Sequence, residues 1–356
     1  MEPESSSAHP ANPSPEPSTP TPEATHSLQC LEILGGNQVV RHALATPGMN
    51  VWIDSRPHAG TRGGDLHYVS MCGSGRVTRF IVADISGHGP DLDEFAQRLR
   101  NLVSRYINLL DQTRFARAIN KHFAEQVGDS KFATVLLVTY FAPTHHLIVC
   151  NAGHPPPLWY SHAAGRWRYL NRAAADAGPS IRAERARYRL SRVANLPLGM
   201  IEPTPYRQFA AKLATGDVVV LYTDAMIEAR NPAGQMLTSR GLLKLARRTI
   251  EWVPQAADAA DATARGTWKL ASAAARLQQP EPADANGSTP SVDPPRTAQL
   301  IGQELIHAVD RWRGGRPPED DQTTVVLHHN GESPPRLTLG RAARSMMKML
   351  GFRWKQ

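Results

Sequence analysis

The sequence predicts a mixed α/β fold of stacked layers in which the sheet is antiparallel. Two observations carry that prediction. Strand-like segments come in adjacent pairs joined by short turns, and amphipathic helical stretches stand apart from them instead of alternating with single strands. In chain order, LHYVSM follows RGGD as a strand, and VTRFIVADIS (77–86) is β-rich and ends in the turn GHGP. Leu92, Phe95, Ala96, Leu99, Val103, Tyr106, Ile107 and Leu110 then recur at helical spacing, and Phe115, Ala118, Ile119 and Phe123 mark a second helix. FATVLLVTYFAP and HHLIVCNAG read as a hairpin, and LWYSHAAGRWRYL as another around Ala163–Gly165. YRQFAAKL and DVVVLYTD are strands with Thr215-Gly216 between them, and helices near 239–250 and 298–313 precede a final strand, QTTVVLHHN.

Residues 1–26 are rich in Pro, Ser, Thr and Glu with almost nothing to bury, so the sequence predicts disorder there. The folded domain is expected over 27–330, with a flexible insertion near 254–296 that begins Ala-rich and helix-prone and ends in QQPEPADANGSTPSVDPP. Residues 331–356 form a basic tail. In it Leu339, Ala342, Ala343, Met346, Met347 and Leu350 share one helical face, while Arg341, Arg344 and Lys348 lie largely on the other. Such a helix suits an anionic membrane surface or a partner's groove; the plainer reading is a helix packed back on the domain. Truncation after Gly331 followed by liposome flotation separates the two.

Composition narrows the class. At 356 residues with 41% hydrophobic content, the chain can bury a substantial core. The net charge of +8 raises a nucleic-acid reading, but no acidic residue follows Glu332, so the tail holds most of the excess and the body is nearer neutral. No zinc-finger, RNP or helix-turn-helix signature supports nucleic-acid binding, and none is expected. Cys30, Cys72 and Cys150 are scattered and odd in number, which argues against a disulfide framework or zinc site. With no apolar leader and no run near the roughly 20 residues that span a bilayer, the expected location is cytoplasmic.

Chemistry emerges from the aspartates. Asp84 follows RFIVA, Asp224 follows VVVLYT, Asp320 and Asp321 precede QTTVVL, and Asp65 sits in RGGD before LHYVSM. A single Asp at a strand end is usually a turn former. Several that converged would repel one another, and divalent cations would make the arrangement tolerable. All-oxygen ligation selects hard cations, so Mg²⁺ or Mn²⁺ over zinc.

GGD (63–65), ADISGHG (83–89), FATVLLVTY (132–140), NAGHPPPL (151–158), NLPLG (195–199), LYTDAMIEARNPAGQM (221–236) and DDQTTVVL (320–327) stand in the order seen in PPM-type phosphatases. The chain resembles most the bacterial SpoIIE-like branch of that family, over roughly 30–330 less the insertion. The resemblance implies an α-β-β-α sandwich: two antiparallel sheets flanked by helices, with a site for two Mn²⁺ or Mg²⁺ ions at one end. By position it implies Asp84 and Asp224 as principal ligands, Asp65 and Asp320 completing the spheres, the Ile85 carbonyl as a further ligand, and Asp321 ranking second to Asp320. It implies hydrolysis of phosphoserine or phosphothreonine on a partner protein by a metal-activated water, with an anti-sigma-factor antagonist as the default substrate. His88 would be a proton donor to the leaving group or an ordering residue of its turn; His154 reads as structural.

Two positions depart from the family pattern. Ala225 stands where glycine usually follows the second aspartate, and Tyr68 stands where another aspartate usually follows GGD. Neither change removes one of the four carboxylates, which favours an active enzyme over a pseudophosphatase that only binds phosphoprotein. Hydrolysis of a generic phosphoester with Mn²⁺ discriminates the two.

Overall fold

The computed structural model describes residues 26–28, 33–58, 60–72, 75–87, 92–127, 131–177, 195–254, 266–271 and 294–334. The N-terminal extension to residue 25, most of the insertion, and the tail from residue 335 with its expected amphipathic helix lie outside the described residues.

The first half of the chain forms β1 (His26–Ser27), β2 (Ile33–Gln38), β3 (Val40–Thr46), β4 (Met49–Arg56), β5 (Arg62–Cys72), β6 (Val77–Ile85), α1 (Leu92–Tyr106) and α2 (Gln112–Val127). The middle forms β7 (Ala133–Phe141), β8 (His146–Ala152), β9 (Leu158–Ser161), β10 (Arg166–Tyr169), α3 (Arg172–Ala177), β11 (Phe209–Lys212), β12 (Val218–Tyr222) and α4 (Ala225–Glu228). The last part forms α5 (Thr238–Thr249), β13 (Ile250–Pro254), β14 (Gly266–Leu270), α6 (Pro294–Arg313) and β15 (Gln322–His329).

Two sheets result, as expected. One runs β1-β3-β4-β15-β12-β9-β10, the other β11-β8-β7-β6-β5-β2, and β13 and β14 form a separate ribbon. All pairings are antiparallel except the short β1–β3 contact. Three apolar layers glue the stack. Val69, Phe80, Val82, Leu136 and Val138 meet Val51, Ile53, Val219, Leu221 and Val325 between the sheets. Ile81, Ala83, Val135 and Leu137 pack against Leu99, Val103, Phe115 and Ile119 of α1 and α2. Trp52, Val220 and Val326 pack against Leu242, Ile301 and Leu305 of α5 and α6.

The strand period of two explains both the layering and the site. In β6, Phe80 and Val82 face the opposite sheet while Ile81, Ala83 and Ile85 face the helices. Asp84 continues the inward series. In β5, Val69 and Met71 are inward and Leu66 and Tyr68 outward, which puts Asp65 on the inward series as well. The inner faces are therefore columns that end in carboxylates, with Phe80 and Val82 below Asp84 and the buried His67 between Val69 and Asp65.

Several expectations change. Asp65 does not precede its strand: β5 begins at Arg62, because Gly63 and Gly64 allow the chain to run extended where a side chain would not fit. A Cβ on Gly63 would strike the Asp321 carboxylate, and one on Gly64 would lie 2.8 Å from Leu92 Cδ2. The strands on either side of Thr215-Gly216 do not pair. β11 adds to β8 and β12 adds to β15 and β9, so this turn, with Gly216 at φ +87°, hands the chain from one sheet to the other. Part of the helix-prone insertion is strand: β14 pairs with β13 from Ile250↔Leu270 to Pro254↔Gly266. The helix expected from 298 starts at Pro294, a residue suited to a first helical turn. Among the described residues, no helix is long and apolar enough to cross a membrane.

Candidate functional site

The β5–β6 ladder sets Asp65 directly opposite Asp84, and the β6–β7 ladder sets Asp84 opposite Thr134. From the other sheet, β12 ends at Tyr222, so Thr223 and Asp224 emerge at the same end of the sandwich. Asp84 and Asp224 come close enough for each to influence the other's carboxyl. The four-residue helix α4 starts immediately after Asp224, which lies in right-handed helical conformation at φ −67°, ψ −23°. Ala225 opens that helix, so the alanine departure sits where alanine is favoured and imposes no strain.

Beneath the carboxylates lies a hydroxyl network. Thr223 Oγ1 donates to Asp65 Oδ2 at 2.8 Å and accepts from Thr323 N–H at 2.9 Å. Ser55 Oγ and Thr323 Oγ1 are 3.0 Å apart. Asp65 is thus buried, fixed by threonines from both strands of the opposing sheet, and linked to the two sheets at once.

Burial and mutual repulsion dominate the electrostatics. Burial first, and the Asp84 charge second, raise the Asp65 carboxyl well above its ordinary value, against the lowering effect of its threonine hydrogen bonds. Burial also raises Asp84, followed by the charges of Asp224, Asp320 and Asp321. Asp224 is raised by burial, then by Glu228 and Asp320, while its interaction with Asp84 lowers it. The approach of the acids is pairwise. Among the described residues, no three His, Cys, Asp or Glu side chains already converge as a cation cage.

The donor chemistry nevertheless fits hard divalent cations: carboxylates, buried at Asp65 and half-buried at Asp84 and Asp224, repelling one another, with no sulfur or imidazole among them. The Ile85 carbonyl lies 3.2 Å from where a Gly64 Cβ would stand, close over the entry to Asp65. Asp320 is exposed and acts on Asp84 and Asp224 through charge; its Oδ1 accepts Asp321 N–H at 2.8 Å. Asp321 is buried, and its oxygens are taken by His58 N–H at 2.6 Å and Gly64 N–H at 2.5 Å. It is a bracket that holds the β5 entry. His88 lies outside the described residues.

Sequence reasoning missed two supports, Thr223 and Arg313, and read His154 as structural without its partners. Thr223, beside Asp224 in the sequence, carries the clearest signal, a hydroxyl next to a strand-end acid. His154 is buried, with Nδ1 at 2.9 Å from Thr134 Oγ1 and Nε2 at 3.0 Å from the Tyr222 carbonyl. Asn151 grips it by two backbone hydrogen bonds of 2.8 Å. Since Thr134 faces Asp84 and Tyr222 lies two residues before Asp224, His154 ties together the strands that carry both acids. Arg313, reaching in from the end of α6, binds Gln322 Oε1 at 2.6 Å and the Ala225 carbonyl at 3.1 Å. Tyr68 settles the second departure. It faces α1, buried, with its hydroxyl 3.2 Å from Ser104 Oγ, so an acid at this position would not reach the carboxylates.

Comparisons with known proteins agree with this architecture. A family model described as Stage II sporulation protein E (SpoIIE) matches residues 74–178 and 176–284, together more than half of the chain. The phosphoserine phosphatase RsbU of Bacillus subtilis (strain 168) is 23% identical over 158 residues, a stretch covering 43% of this chain and 40% of that protein. Among solved structures, the RsbU and RsbW domains of a Mycobacterium tuberculosis protein superpose with a TM-score of 0.54 at 18% identity, covering 86% of this chain and 69% of that one. The PP2C phosphatase domain of SpoIIE from Bacillus subtilis, with a fragment of its regulatory domain, gives 0.52 at 15% identity, covering 82% and 70%. At such identities these structures establish the shared fold.

Proposed function

The chain belongs to the stage II sporulation protein E (SpoIIE) family, and on that premise we propose that it is a metal-dependent serine/threonine protein phosphatase. The observation that supports the reading is the pairwise approach of Asp65 to Asp84 across one sheet and of Asp84 to Asp224, which follows a strand of the other, with Asp65 buried and Asp84 and Asp224 half-buried. Asp84 and Asp224 would hold two divalent cations between them, Mn²⁺ or Mg²⁺, with Asp65, Asp320 and the Ile85 carbonyl completing the set. When bound, such ions supply Lewis acidity, lowering the pKa of a water toward neutrality and neutralising phosphoryl oxygens.

The chain's own residues do the positioning. Thr223 and Thr323 aim Asp65, the Asp321 bracket fixes the backbone that presents it, and His154 sets the spacing between the Asp84 and Asp224 strands. None of these side chains needs to form a bond to phosphorus, so the reading is direct hydrolysis without a covalent intermediate on the protein. The substrate class follows the resemblance: a phosphoserine or phosphothreonine on a partner protein, an anti-sigma-factor antagonist by default.

Release of phosphate from a phosphoserine peptide, measured against Mn²⁺ and Mg²⁺ concentration, tests the proposal. Wild type should turn over only with the divalent ion, and Asp84→Ala and Asp224→Ala should each lose about a thousandfold or more of that activity. Undiminished turnover in both variants would remove the site assignment; a wild type inert with either ion would remove the enzyme.

A further inference from the structure

Beside the carboxylates, a cavity of about 260 Å³ lies between the start of α4, the segment around Arg230, and the stretch from Arg313 to Asp320. Its lining carries both acids and arginines. Glu228 and Asp320 are the two largest charge influences on Asp224. Arg230 and Arg316 also line it and fasten the same turn: Arg230 Nη1 donates to the Gly234 carbonyl at 3.1 Å, and Arg316 Nη2 to the Asn231 carbonyl at 2.7 Å. The third arginine, Arg313, is matched by Asp310 at 2.9 Å and by the nearby charge of Glu319. Arg230 and Arg316 instead spend N–H groups on neutral carbonyls and keep their positive charge unmatched by those bonds.

We propose that this cavity is a subsite for an acidic side chain, Asp or Glu, that flanks the phosphorylated residue of a protein substrate, with Arg230 and Arg316 receiving its carboxylate. The inference rests on the phosphatase reading for what occupies the neighbouring carboxylate centre. A guanidinium still holding free N–H donors, fixed by a backbone carbonyl, is suited to a carboxylate. The two sites adjoin, since Asp320 lines the cavity and acts by charge on Asp84 and Asp224, so the acid would lie close in sequence to the phosphorylated residue. Glu228, whose charge acts on Asp224, opposes a substrate acid placed beside the carboxylate centre, which adds discrimination to attraction.

The test is binding of fluorescent peptides that carry a non-hydrolysable phosphonate in place of phosphoserine to the full chain with Mn²⁺, followed by anisotropy. Glu, Gln or Lys is placed in turn at each of the three positions on either side. Wild type should bind the Glu peptide about five- to tenfold more tightly than the Gln peptide at one of those positions. Arg230→Gln and Arg316→Gln should each cut the preference below about twofold, and Arg230→Glu should turn it toward Lys. Arg230 is exposed, so its variants keep the test decisive if Arg316→Gln does not fold. Equal or absent binding of Glu and Gln peptides by wild type, a wild-type preference for Lys, or a Glu preference that survives both variants overturns the subsite. Phosphate release from the hydrolysable peptides, measured in parallel, separates the two ideas. Preference without release removes the phosphatase reading alone, and release without preference removes the subsite alone.

Discussion

Asp65 and Asp84 face each other as direct partners across the β5–β6 ladder, both on the side of the strands that looks into the sandwich. Like charges directly opposite on a sheet destabilise it, and burial sharpens the effect. Burial first and the Asp84 charge second raise the Asp65 carboxyl, and burial first, then Asp224 and Asp320, raise Asp84.

Replacing Asp84 by Asn should therefore stabilise the protein in the presence of a chelator, by about 1–3 kcal/mol at pH 8, while abolishing metal-dependent turnover. The sign follows from the direction of the shift. A carboxyl raised above its unfolded value favours the fold while protonated and loses that contribution as pH rises through the folded value. The melting temperature of Asp84→Asn should exceed that of wild type by a margin that grows from pH 5 to pH 8. A wild type that stays the more stable at every pH would contradict the repulsion argument.

Asp320 and Asp321 are neighbours with opposite duties. Asp321 takes the N–H groups of His58 and Gly64, whereas Asp320 is exposed and faces the carboxylates by charge. Asp321→Ala would leave two backbone donors without an acceptor and should cost about 2–4 kcal/mol of stability. Asp320→Ala should leave the unfolding midpoint within about 0.5 kcal/mol of wild type and instead raise the Mn²⁺ concentration needed for half-maximal turnover. Urea unfolding of both variants, paired with metal titrations, distinguishes these roles.

Much of this was legible in the sequence, for reasons that particular residues make clear. RFIVAD and VVVLYTD announce themselves because continuous apolar runs mark buried strands and the acid that ends each run breaks the pattern. β2, with Gly35 and Gly36 at its centre, has neither alternation nor a β-branched run and becomes a strand only by pairing with β5. The separation of β11 and β12 into different sheets was hidden for a related reason: Thr215-Gly216 is as suited to a crossover as to a hairpin, and partner choice is made by β8 and β15. The partners of Thr223, His154 and Arg313 lie 158, 68 and 88 residues away in the chain, so even where the sequence marks His154 as structural no local pattern names what it holds.

Tyr68 tests how far a family position can be moved between relatives. Its ring is buried between β5 and α1 beside Ile81 and Leu99, on the face away from Asp65. Tyr68→Asp should not strengthen metal binding; it should destabilise the protein by about 3 kcal/mol or more, through a buried unpaired carboxylate and a lost aromatic volume. Tyr68→Phe, which loses only the Ser104 contact, should cost about 1 kcal/mol or less. Thermal unfolding of the two variants measures the contrast, and a Tyr68→Asp protein as stable as wild type would place this side chain elsewhere.

His154 supplies the last prediction, because its two ring nitrogens couple one sheet to the other. Burial lowers its pKa to about 4, so it is neutral at physiological pH, its Nε2–H donating to the Tyr222 carbonyl and Nδ1 accepting from Thr134. A histidine held neutral in the fold contributes stability that is fully present above the unfolded value near 6.5 and is lost as pH falls through about 4. The contribution amounts to about 3 kcal/mol at most across that window. His154→Gln keeps a donor toward Tyr222 but carries no proton switch. Its stability deficit at pH 7.5, about 1–3 kcal/mol, should shrink steadily between pH 6.5 and pH 4 in the presence of saturating Mn²⁺. If His154 also sets the spacing of Asp84 and Asp224, His154→Ala should weaken Mn²⁺ binding by about tenfold, with His154→Gln recovering part of that loss. Metal affinity equal to wild type in His154→Ala, at a temperature where the variant is fully folded, would confine this histidine to stability alone.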